Sequence, residues 1–378
     1  MDKKIPLSRP EITKKDRKAV ENVLKTTSLS FGPKIKEFER KMASYTKTKY
    51  AIAVNSGTSG LHLVIKSLGI KEKDEVITSS FSFIASSNCI LFEKAKPVFV
   101  DIDEKTLCID ADKIEEKITK KTKAILVVHV FGQTCKMDKI VKIARKHKLY
   151  IIEDACEAIG GMYKGKKAGT FKDAGVFAFY PNKQITTGEG GMIVTNNQKI
   201  AKLCKSMRNQ GKDEKKEQLS YLRMGYNYRM SELNAALGVS QLERINEILK
   251  KREKAANLYN RILRKIEGIE IPYVADNVKM SWFVYAIRLN SNKFNKKDRD
   301  KIMKKLAKKG IASKNYFPPI HLEPFYVDMF GYKRGDFPIT EKVSDLIIAL
   351  PFYNNITREE IKRVCNSLKI ILTEISKE

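Results

Sequence analysis

The feature that most constrains the fold is an alternation, between residues 50 and 200, of short β-branched runs with stretches of helical periodicity. The first run, at residues 50–54, is followed by Leu61, Val64 and Leu68, which recur at the spacing of one helix face. Strands that alternate with helices in this way are typical of a largely parallel sheet covered by helices. The predicted strands are residues 50–54, 75–78, 97–100, 124–130, 149–153, 176–180 and 192–195.

The C-terminal part of the chain has a different pattern. Residues 231–266 predict one long helix, with Ser231 as its N-cap, that leads out of the α/β region. A strand at 282–289, a charged helix near 297–309 and a last helix from Thr357 then indicate a smaller α+β unit. The apolar face of the long helix is predicted to carry Leu233, Leu237, Leu242 and Ile245.

The length of the chain, 378 residues, exceeds that of one ordinary domain and allows a substantial core. An apolar fraction of 42% suits a globular protein. We therefore predict a large α/β domain at residues 1–260, which includes the N-terminal segment, and a smaller C-terminal α+β domain at residues 261–378.

The net charge of +29 comes from lysines spread along the whole chain rather than from one basic tail or helix. This charge is consistent with attraction of a polyanion or a pyrophosphate-bearing substrate, and also with a solvated surface that reflects composition or heat adaptation. Nucleic-acid binders usually concentrate basic residues on one face within a recognisable module, which this sequence lacks. We therefore favour the solvated surface and expect no nucleic-acid partner.

The cysteines and the distribution of apolar residues indicate the compartment. The six cysteines are scattered and form no C-x-x-C pair, so neither zinc nor a disulfide framework is predicted. No run of about 18 apolar residues could span a bilayer, and residues 1–6 lack the apolar core of a signal peptide. We expect reduced, buried thiols, no membrane partner and a cytoplasmic protein.

A Gly/Ser-rich segment, NSGTSG at residues 55–60, lies between the first predicted strand and the helix that follows it. Backbone N–H groups at the start of a helix, together with the helix dipole, favour a bound phosphate. By itself this segment is also typical of an ordinary helix cap.

An acidic residue, Asp154, follows the apolar strand predicted at 149–153. Ligands of open α/β sheets bind at the carboxyl ends of the strands. A carboxylate there can hold a proton on a pyridine nitrogen, which makes pyridoxal 5′-phosphate (PLP) a better electron sink. Taken alone, a strand-end aspartate that caps the next turn is at least as good an interpretation.

Lys183 follows the strand predicted at 176–180 and enters a glycine-rich turn with Gly188, Gly190 and Gly191. A lysine held in such a turn can be oriented and partly desolvated, which favours the neutral amine that a Schiff base requires. In a chain so rich in lysine, a solvated surface residue is the alternative.

Taken together and in this order, the three segments make the chain similar to the DegT/DnrJ/EryC1/StrS family of sugar aminotransferases. The similarity extends over nearly the whole chain. It implies a PLP-dependent transferase of fold type I, the aspartate-aminotransferase type, active as a homodimer with both sites at the subunit interface. The matching motifs are GP at 32–33, FE at 38–39, NSGT at 55–58, PVFVDID at 97–103, EDAC at 153–156, GEGG at 188–191 and GYNYRM at 225–230.

The resemblance implies cofactor roles residue by residue. Lys183 matches the Schiff-base lysine and Asp154 the partner of the pyridine nitrogen. Phe83 matches the aromatic that stacks on the cofactor ring, and Asn227 the asparagine that crosses the dimer interface to the PLP phosphate. Without the resemblance, Phe83 would indicate core packing and Asn227 a local turn. The phosphate cradle of the family matches Gly57, Thr58 and Ser59.

Two positions depart from the family pattern. The family commonly has glutamine where this chain has Glu157, and serine, a phosphate ligand, where this chain has Ala178. An ionised carboxylate has no proton to donate, so the contact to the phenolic oxygen of the cofactor is in doubt. The alanine removes one hydrogen bond to the phosphate.

The segments EDACEA at 153–158 and NKQITTGE at 182–189 are similar to the branch that contains perosamine synthases. Those enzymes aminate C4 of a nucleotide-linked 4-keto-6-deoxyhexose. The resemblance therefore implies two half-reactions, in which an amino group passes from a donor, expected to be glutamate, to the cofactor and then to the sugar ketone. Lys183 would move the proton in both.

Two further residues are candidates for substrate binding. Arg229 could bind the donor carboxylate or the sugar pyrophosphate, with a surface or interface ion pair as the alternative. His321 matches a family segment that borders the substrate pocket, with a packed histidine as the alternative. The other histidines have no companions at metal-ligand spacing, so no metal is predicted; they are His62, His129 and His147.

Two other functions remain open at this point. Relatives in which histidine replaces the lysine are deoxygenating sugar dehydratases, and the retained Lys183 favours transamination over that reaction. A basic regulatory or nucleic-acid-binding protein on the same fold is suggested by the net charge alone.

Overall fold

The computed structural model describes residues 4–213 and 220–376 of the chain. The helices are α1 (Lys14–Leu24), α2 (Pro33–Thr46), α3 (Gly57–Ser67), α4 (Ala85–Leu91), α5 (Met137–Lys146), α6 (Gln198–Arg208), α7 (Glu232–Glu243), α8 (Ile245–Leu263), α9 (Lys296–Lys308), α10 (Pro324–Phe330), α11 (Pro338–Leu346) and α12 (Arg358–Ile375). The strands are β1 (Tyr50–Val54), β2 (Glu75–Ser79), β3 (Lys96–Val100), β4 (Thr122–Val128), β5 (Tyr150–Asp154), β6 (Met162–Tyr163), β7 (Lys166–Lys167), β8 (Ala174–Ala178), β9 (Gly191–Thr195), β10 (Ile269–Glu270), β11 (Val278–Lys279), β12 (Tyr285–Leu289) and β13 (Ile347–Leu350).

The largest sheet has seven strands in the order β1-β9-β8-β5-β4-β2-β3. Only β9 runs against the others, because it pairs antiparallel with both β1 and β8 while the remaining pairs are parallel. The carboxyl ends of β1, β2, β5 and β8 therefore meet at one edge of the sheet. This mixed but mainly parallel sheet confirms the predicted fold class.

The seven predicted strands of this sheet are all present, with small differences at their ends. Strand β4 ends at Val128 instead of continuing to residue 130. A short 3₁₀ turn, Val130–Gly132, follows it, and Phe131 there has a left-handed φ of 56°. The apolar residues of this turn are buried although they lie outside the strand, which is why the sequence pattern extended the predicted strand to residue 130.

The helix predicted over residues 231–266 is two helices, so the predicted extent was wrong. The chain leaves helical geometry at Arg244, with φ −104° and ψ 9°, between α7 and α8. Arg244 Nη2 donates to the buried carboxylate of Asp16 on α1 at 2.9 Å. Ser240 and Gln241 donate to the same carboxylate. This cluster fixes the end of α7 against α1, a contact between distant parts of the sequence.

The buried face of α7 also differs from the prediction, since Leu233 and Leu237 are only half-buried. A Cβ atom added to Gly238 would lie 2.7 Å from the ring of Phe38 on α2, so the two helices approach closely at this glycine. The residues that α7 buries are mainly small: Ala235, Ala236, Gly238, Val239 and Leu242, with Glu232, Ser240 and Gln241 among the polar ones.

A three-stranded sheet, β10-β12-β13, shares its own apolar core with α8, α9 and α12. Strand β12 begins at Tyr285, three residues after the predicted start. Ile5 also packs in this core and bridges to Ile311. The predicted domain boundary at residue 260 lies inside α8, and the division into two domains stays a prediction.

The cysteines lie in the interior, five of them buried and Cys156 half-buried. Within residues 4–213 and 220–376, no helix combines the length and the apolar character needed to cross a membrane.

Candidate active site

The three segments singled out in the sequence meet at the carboxyl edge of the large sheet. β1 leads into residues 55–60, β5 ends with Asp154, and β8 leads into the turn that holds Lys183. β2 leads into the segment that carries Phe83. Because these strands are parallel, the topology alone brings their ends together.

The start of α3 forms a small cradle of backbone amides. Ser56 is the N-cap, and its Oγ accepts a hydrogen bond from the amide of Ser59 at 3.1 Å. The first amides of a helix have no partner within the helix, so Gly57 and Thr58 can offer theirs to an anion. A Cβ atom at Gly57 would lie 2.8 Å from Ala178 Cβ and 2.9 Å from Cys156 Sγ. Only glycine therefore fits here without a shift of its neighbours.

Asp154 is buried at the end of β5, and two hydrogen bonds orient its carboxylate. Ser86 Oγ donates to Oδ2 at 2.6 Å, and the amide of Cys156 donates to Oδ1 at 3.1 Å. Burial raises the pKa of the Cys156 thiol well above its ordinary value, so this neighbour stays uncharged. The carboxylate is thus held in one orientation.

Lys183 lies in the turn after β8, with its side chain mostly buried. Its Nζ is 3.5 Å from Glu157 Oε1 and 4.0 Å from the centroid of the Phe283 ring. Gln184, the next residue, donates to the carbonyl oxygens of Glu157 at 2.7 Å and Ser281 at 3.0 Å. These bonds tie the lysine turn to the segment before β12.

Glu157 is buried beside the lysine. Its Oε2 accepts a hydrogen bond from the amide of Phe131 at 2.8 Å, which leaves Oε1 facing Lys183. Burial raises the pKa of this carboxyl, against the opposing effect of the Lys183 ammonium. A carboxyl with a raised pKa can keep its proton. It can then donate a hydrogen bond, as the glutamine that the family commonly has at this position can.

Phe83 is 61% exposed and lies outside the core, unlike the core residue that its type alone would suggest. Ser82 and Ser86, on either side of it in sequence, share a hydrogen bond of 2.7 Å between their hydroxyl groups. Ser86 in turn binds Asp154. The ring is therefore carried on a segment that is hydrogen-bonded to the carboxylate, and most of its surface is exposed.

Asn227 and Arg229 lie in an extended segment beside Asn55. Asn227 is exposed, and its carbonyl oxygen accepts a hydrogen bond from Asn55 Nδ2 at 3.4 Å. Arg229 donates through Nη1 to Asn209 Oδ1 at 3.1 Å. The roles of both residues toward cofactor and substrate stay predictions.

His321 is fully buried, and its Nε2 lies 3.0 Å from Glu341 Oε1. This buried environment agrees with the alternative interpretation of His321 as a packed histidine. A role of His321 toward a substrate stays a prediction. The other three histidines are also paired with glutamate, His62 with Glu93, His129 with Glu153 and His147 with Glu115. In the described part of the chain, no group of three His, Cys, Asp or Glu residues is arranged to hold a metal ion.

The sequence reasoning missed two aromatic residues of the site. Phe283 presents its ring to Lys183 from 100 residues further along the chain. Tyr316 packs edge-on against Phe283 and Phe131, and burial raises the pKa of its hydroxyl, with Glu157 as a further cause. No local pattern around either residue would have indicated this position.

The residues at this edge fit the chemical groups of PLP. The helix start suits its phosphate, the carboxylate of Asp154 suits its pyridine nitrogen, and the amine of Lys183 suits its aldehyde. At Gly57 there is no room for a side chain. The absence of a side chain would let a phosphate approach the backbone amides closely.

Comparisons with known proteins agree with this arrangement. The sequence model of the DegT/DnrJ/EryC1/StrS aminotransferase family matches residues 10–369. The chain is 39% identical to the GDP-perosamine synthase of Caulobacter vibrioides, with 98% of each chain covered. The structure is similar to that of Helicobacter pylori PseC, an aminotransferase of pseudoaminic acid biosynthesis, with a TM-score of 0.93, 30% identity and coverage of 98% and 100% of the two chains. For Spr1654 of Streptococcus pneumoniae in its PLP form, the TM-score is 0.94 at 27% identity, with coverage of 99% and 100%.

Proposed function

This chain belongs to the DegT/DnrJ/EryC1/StrS aminotransferase family and is a PLP-dependent sugar aminotransferase, and from this premise we propose that it aminates C4 of a nucleotide-linked 4-keto-6-deoxyhexose. The similarity to a GDP-perosamine synthase over the whole chain supports this substrate and favours GDP as the nucleotide. We further propose L-glutamate as the amino donor.

One structural observation carries the proposal: Lys183, Asp154 and the start of α3 converge on one edge of the sheet. Bound PLP supplies an electron sink that stabilises negative charge at the carbon from which the amino group leaves or to which it is added. The protein supplies the groups that hold the cofactor and move protons.

Each residue has a distinct task in this proposal. Asp154, fixed by Ser86 and the Cys156 amide, keeps the pyridine nitrogen protonated. The Nζ of Lys183 holds the cofactor and, once released, carries the proton to and from the substrate carbon. Glu157, with Oε2 occupied by the Phe131 amide, directs Oε1 to the space beside Lys183.

We propose that the functional unit is a homodimer in which each subunit completes the site of the other. Asn227 is exposed, and in its own subunit its carbonyl oxygen is bonded to Asn55. Ala178, beside Gly57, has no hydroxyl group to offer a phosphate. An amide from a second copy would supply the missing hydrogen bond.

A substrate panel tests the reaction. The purified protein, loaded with PLP and supplied with glutamate, is incubated with UDP-, GDP- and dTDP-linked 4-keto-6-deoxyhexoses. We expect a 4-amino sugar from one nucleotide series and release of 2-oxoglutarate. A deoxygenated sugar without net amino transfer would identify a dehydratase, and no reaction with any acceptor would refute the proposed substrate class.

The lysine is tested separately by borohydride reduction of the PLP-loaded protein and peptide mapping. We expect the reduced adduct on Lys183 and its loss in Lys183→Ala. An adduct on any other lysine would contradict the assignment.

A further inference from the structure

A cluster of polar and aromatic side chains lies beside the site but outside the groups assigned to it. We call it the His62 clasp, and it consists of His62 and Lys66 on α3, Glu93 just after α4, and Tyr226 and Tyr228. His62 Nε2 is 2.8 Å from Glu93 Oε1, and His62 Nδ1 is 3.1 Å from the Tyr228 hydroxyl. Lys66 Nζ donates to both oxygens of Glu93 at 2.9 and 2.8 Å. The Tyr226 hydroxyl donates to Glu93 Oε1 at 3.4 Å.

The hydrogen bonds of the clasp define one tautomer of His62. Burial lowers the pKa of His62, so the ring is neutral at pH 7. Burial raises the pKa of the Tyr228 phenol, which therefore keeps its proton. Since Glu93 can only accept, Nε2–H of His62 donates to it, and Nδ1 accepts from the Tyr228 hydroxyl. Both ring nitrogens are thus engaged, Nε2 with Glu93 and Nδ1 with the Tyr228 hydroxyl.

The two tyrosines are held as a pair. Their rings stack with centroids 4.9 Å apart and planes at 11°, and the Tyr226 ring lies 4.8 Å from that of His62. The backbone of this segment is bonded on both sides, because the amide of Tyr226 donates to Met207 and the amide of Asn55 donates to the carbonyl oxygen of Tyr228. The segment is therefore fixed in both its backbone and its aromatic side chains.

This arrangement determines where Asn227 points. Side chains alternate between the two faces of an extended segment, so two tyrosines held on one face leave the residue between them on the other. Asn227 is exposed, while Tyr226 and Tyr228 are half-buried. The same helix, α3, carries His62 and, at its start, the amides of the local phosphate cradle.

We propose that the His62 clasp is a positioning device for Asn227, which it holds outward, ready to donate to the phosphate of PLP bound by a second copy of the chain. This inference rests on the proposed cofactor role of Asn227. His62, Glu93 and Tyr228 are positioning residues, because they act through Asn227 and touch neither cofactor nor substrate in this account.

The test is a double-mutant cycle on PLP retention. The rate of PLP release from the loaded dimer is followed by loss of the cofactor's visible absorbance after dilution, for Tyr228→Phe, His62→Phe and Asn227→Ala. Tyr228→Phe removes one hydroxyl group and keeps the ring stack, so it tests the clasp even where His62→Phe folds poorly. We expect each clasp variant to release PLP about five to ten times faster in the parent background. In the Asn227→Ala background we expect no further acceleration.

A matched control removes a buried hydroxyl group far from the clasp. In Tyr285→Phe, the lost bond is that to Asn260 Oδ1 at 2.6 Å. This variant should lower the melting temperature and leave PLP release unchanged. Equal acceleration by Tyr228→Phe in both backgrounds, or none in the parent, would overturn the inference while Asn227→Ala still releases PLP faster. If Asn227→Ala itself has no effect on release, the proposed role of Asn227 fails first.

Discussion

Two carboxyl groups lie three residues apart in different environments, Asp154 as the last residue of β5 and Glu157 just after the strand. Asp154 accepts from a serine hydroxyl and a backbone amide, while Glu157 faces Lys183. In the proposed mechanism the first would hold a proton on the ring nitrogen of the cofactor, and the second would exchange one near the lysine. The same apolar strand end thus supplies two carboxyl groups in different environments, to which the proposal gives separate tasks.

Asp154→Asn should lower turnover without loss of the fold. The amide oxygen still accepts from Ser86, but the neutral side chain no longer favours a protonated pyridine nitrogen. We expect kcat to fall by about 100-fold or more, or roughly 3 kcal/mol of barrier, as measured by steady-state kinetics. Ser86→Ala, which keeps the carboxylate, should cost much less. Turnover of Asp154→Asn within a few-fold of the parent would make Asp154 a structural residue.

Glu157→Gln should change how the stability of the PLP-free protein depends on pH. Because burial raises the pKa of Glu157 above its ordinary value of 4.5, its contribution to stability is present at low pH and is lost as the pH rises above that value. Glutamine still accepts from the Phe131 amide and carries no charge. The variant should therefore gain stability relative to the parent as the pH rises above 4.5, measured by urea unfolding over a series of pH values.

The control for this prediction is Glu72→Gln, at an exposed position. Its unfolding free energy should track that of the parent across the same pH range. A constant difference between Glu157→Gln and the parent would show that the buried carboxyl does not titrate in this window.

At the scale of elements, the close contact between α7 and α2 positions the segment before α7, which carries Asn227. The first turn of α2 is capped by Glu232 of α7, whose carboxylate accepts from the amides of Gly32, Lys34 and Ile35. Further along, Gly238 lets α7 approach the ring of Phe38. The two helices therefore fix the start of α7, and with it the segment that carries Asn227.

Gly238→Ala should destabilise the protein, although alanine normally favours a helix interior by about 1 kcal/mol. The new Cβ would lie 2.7 Å from the Phe38 ring and 2.9 Å from Thr187 Cγ2. Both neighbours are buried, so we expect a net loss of roughly 1–3 kcal/mol in chemical unfolding. Phe38→Leu in the same chain should recover part of this loss. A stabilised Gly238→Ala would contradict the close packing of α2 and α7.

At the scale of the whole molecule, several exposed apolar residues lie close in sequence to Asn227. Tyr221, Leu222 and Met224 are all more than half exposed. We infer that these residues belong to the subunit interface of the proposed dimer. Their nearness to Asn227 agrees with the proposal that this segment meets a second copy.

Mixing an inactive variant with a variant expected to retain PLP poorly tests the shared site. Lys183→Ala subunits are combined with Asn227→Ala subunits under conditions that allow exchange. A heterodimer would hold one site with both lesions and one site with neither, so activity should reappear. With equal amounts and random pairing, about a quarter of the parental sites would be intact. No recovery, despite exchange demonstrated by differently tagged subunits, would mean that Asn227 acts within its own subunit.

The sequence by itself determined the seven strands of the large sheet and the motifs at their ends. These are local properties, because β-branched runs, glycine-rich turns and strand-end polar residues are each encoded within a few neighbouring positions. Parallel strands then bring such ends together, so the meeting of Asp154, Lys183 and residues 55–60 followed from the predicted fold class. Their roles toward PLP came from the family resemblance and stay predictions.

Only the tertiary structure decided which surfaces meet. It placed Phe283 against Lys183, broke the long helix at Arg244 beside Asp16, and joined His62 to Tyr228. It also enclosed His321 with Glu341. Except for His321 and Glu341, the partners in these contacts are separated by 100 residues or more in the sequence. A local periodic pattern cannot predict such a pairing. Packing, burial and hydrogen bonding between distant elements fixed them, because buried polar groups must find partners wherever the folded chain provides them.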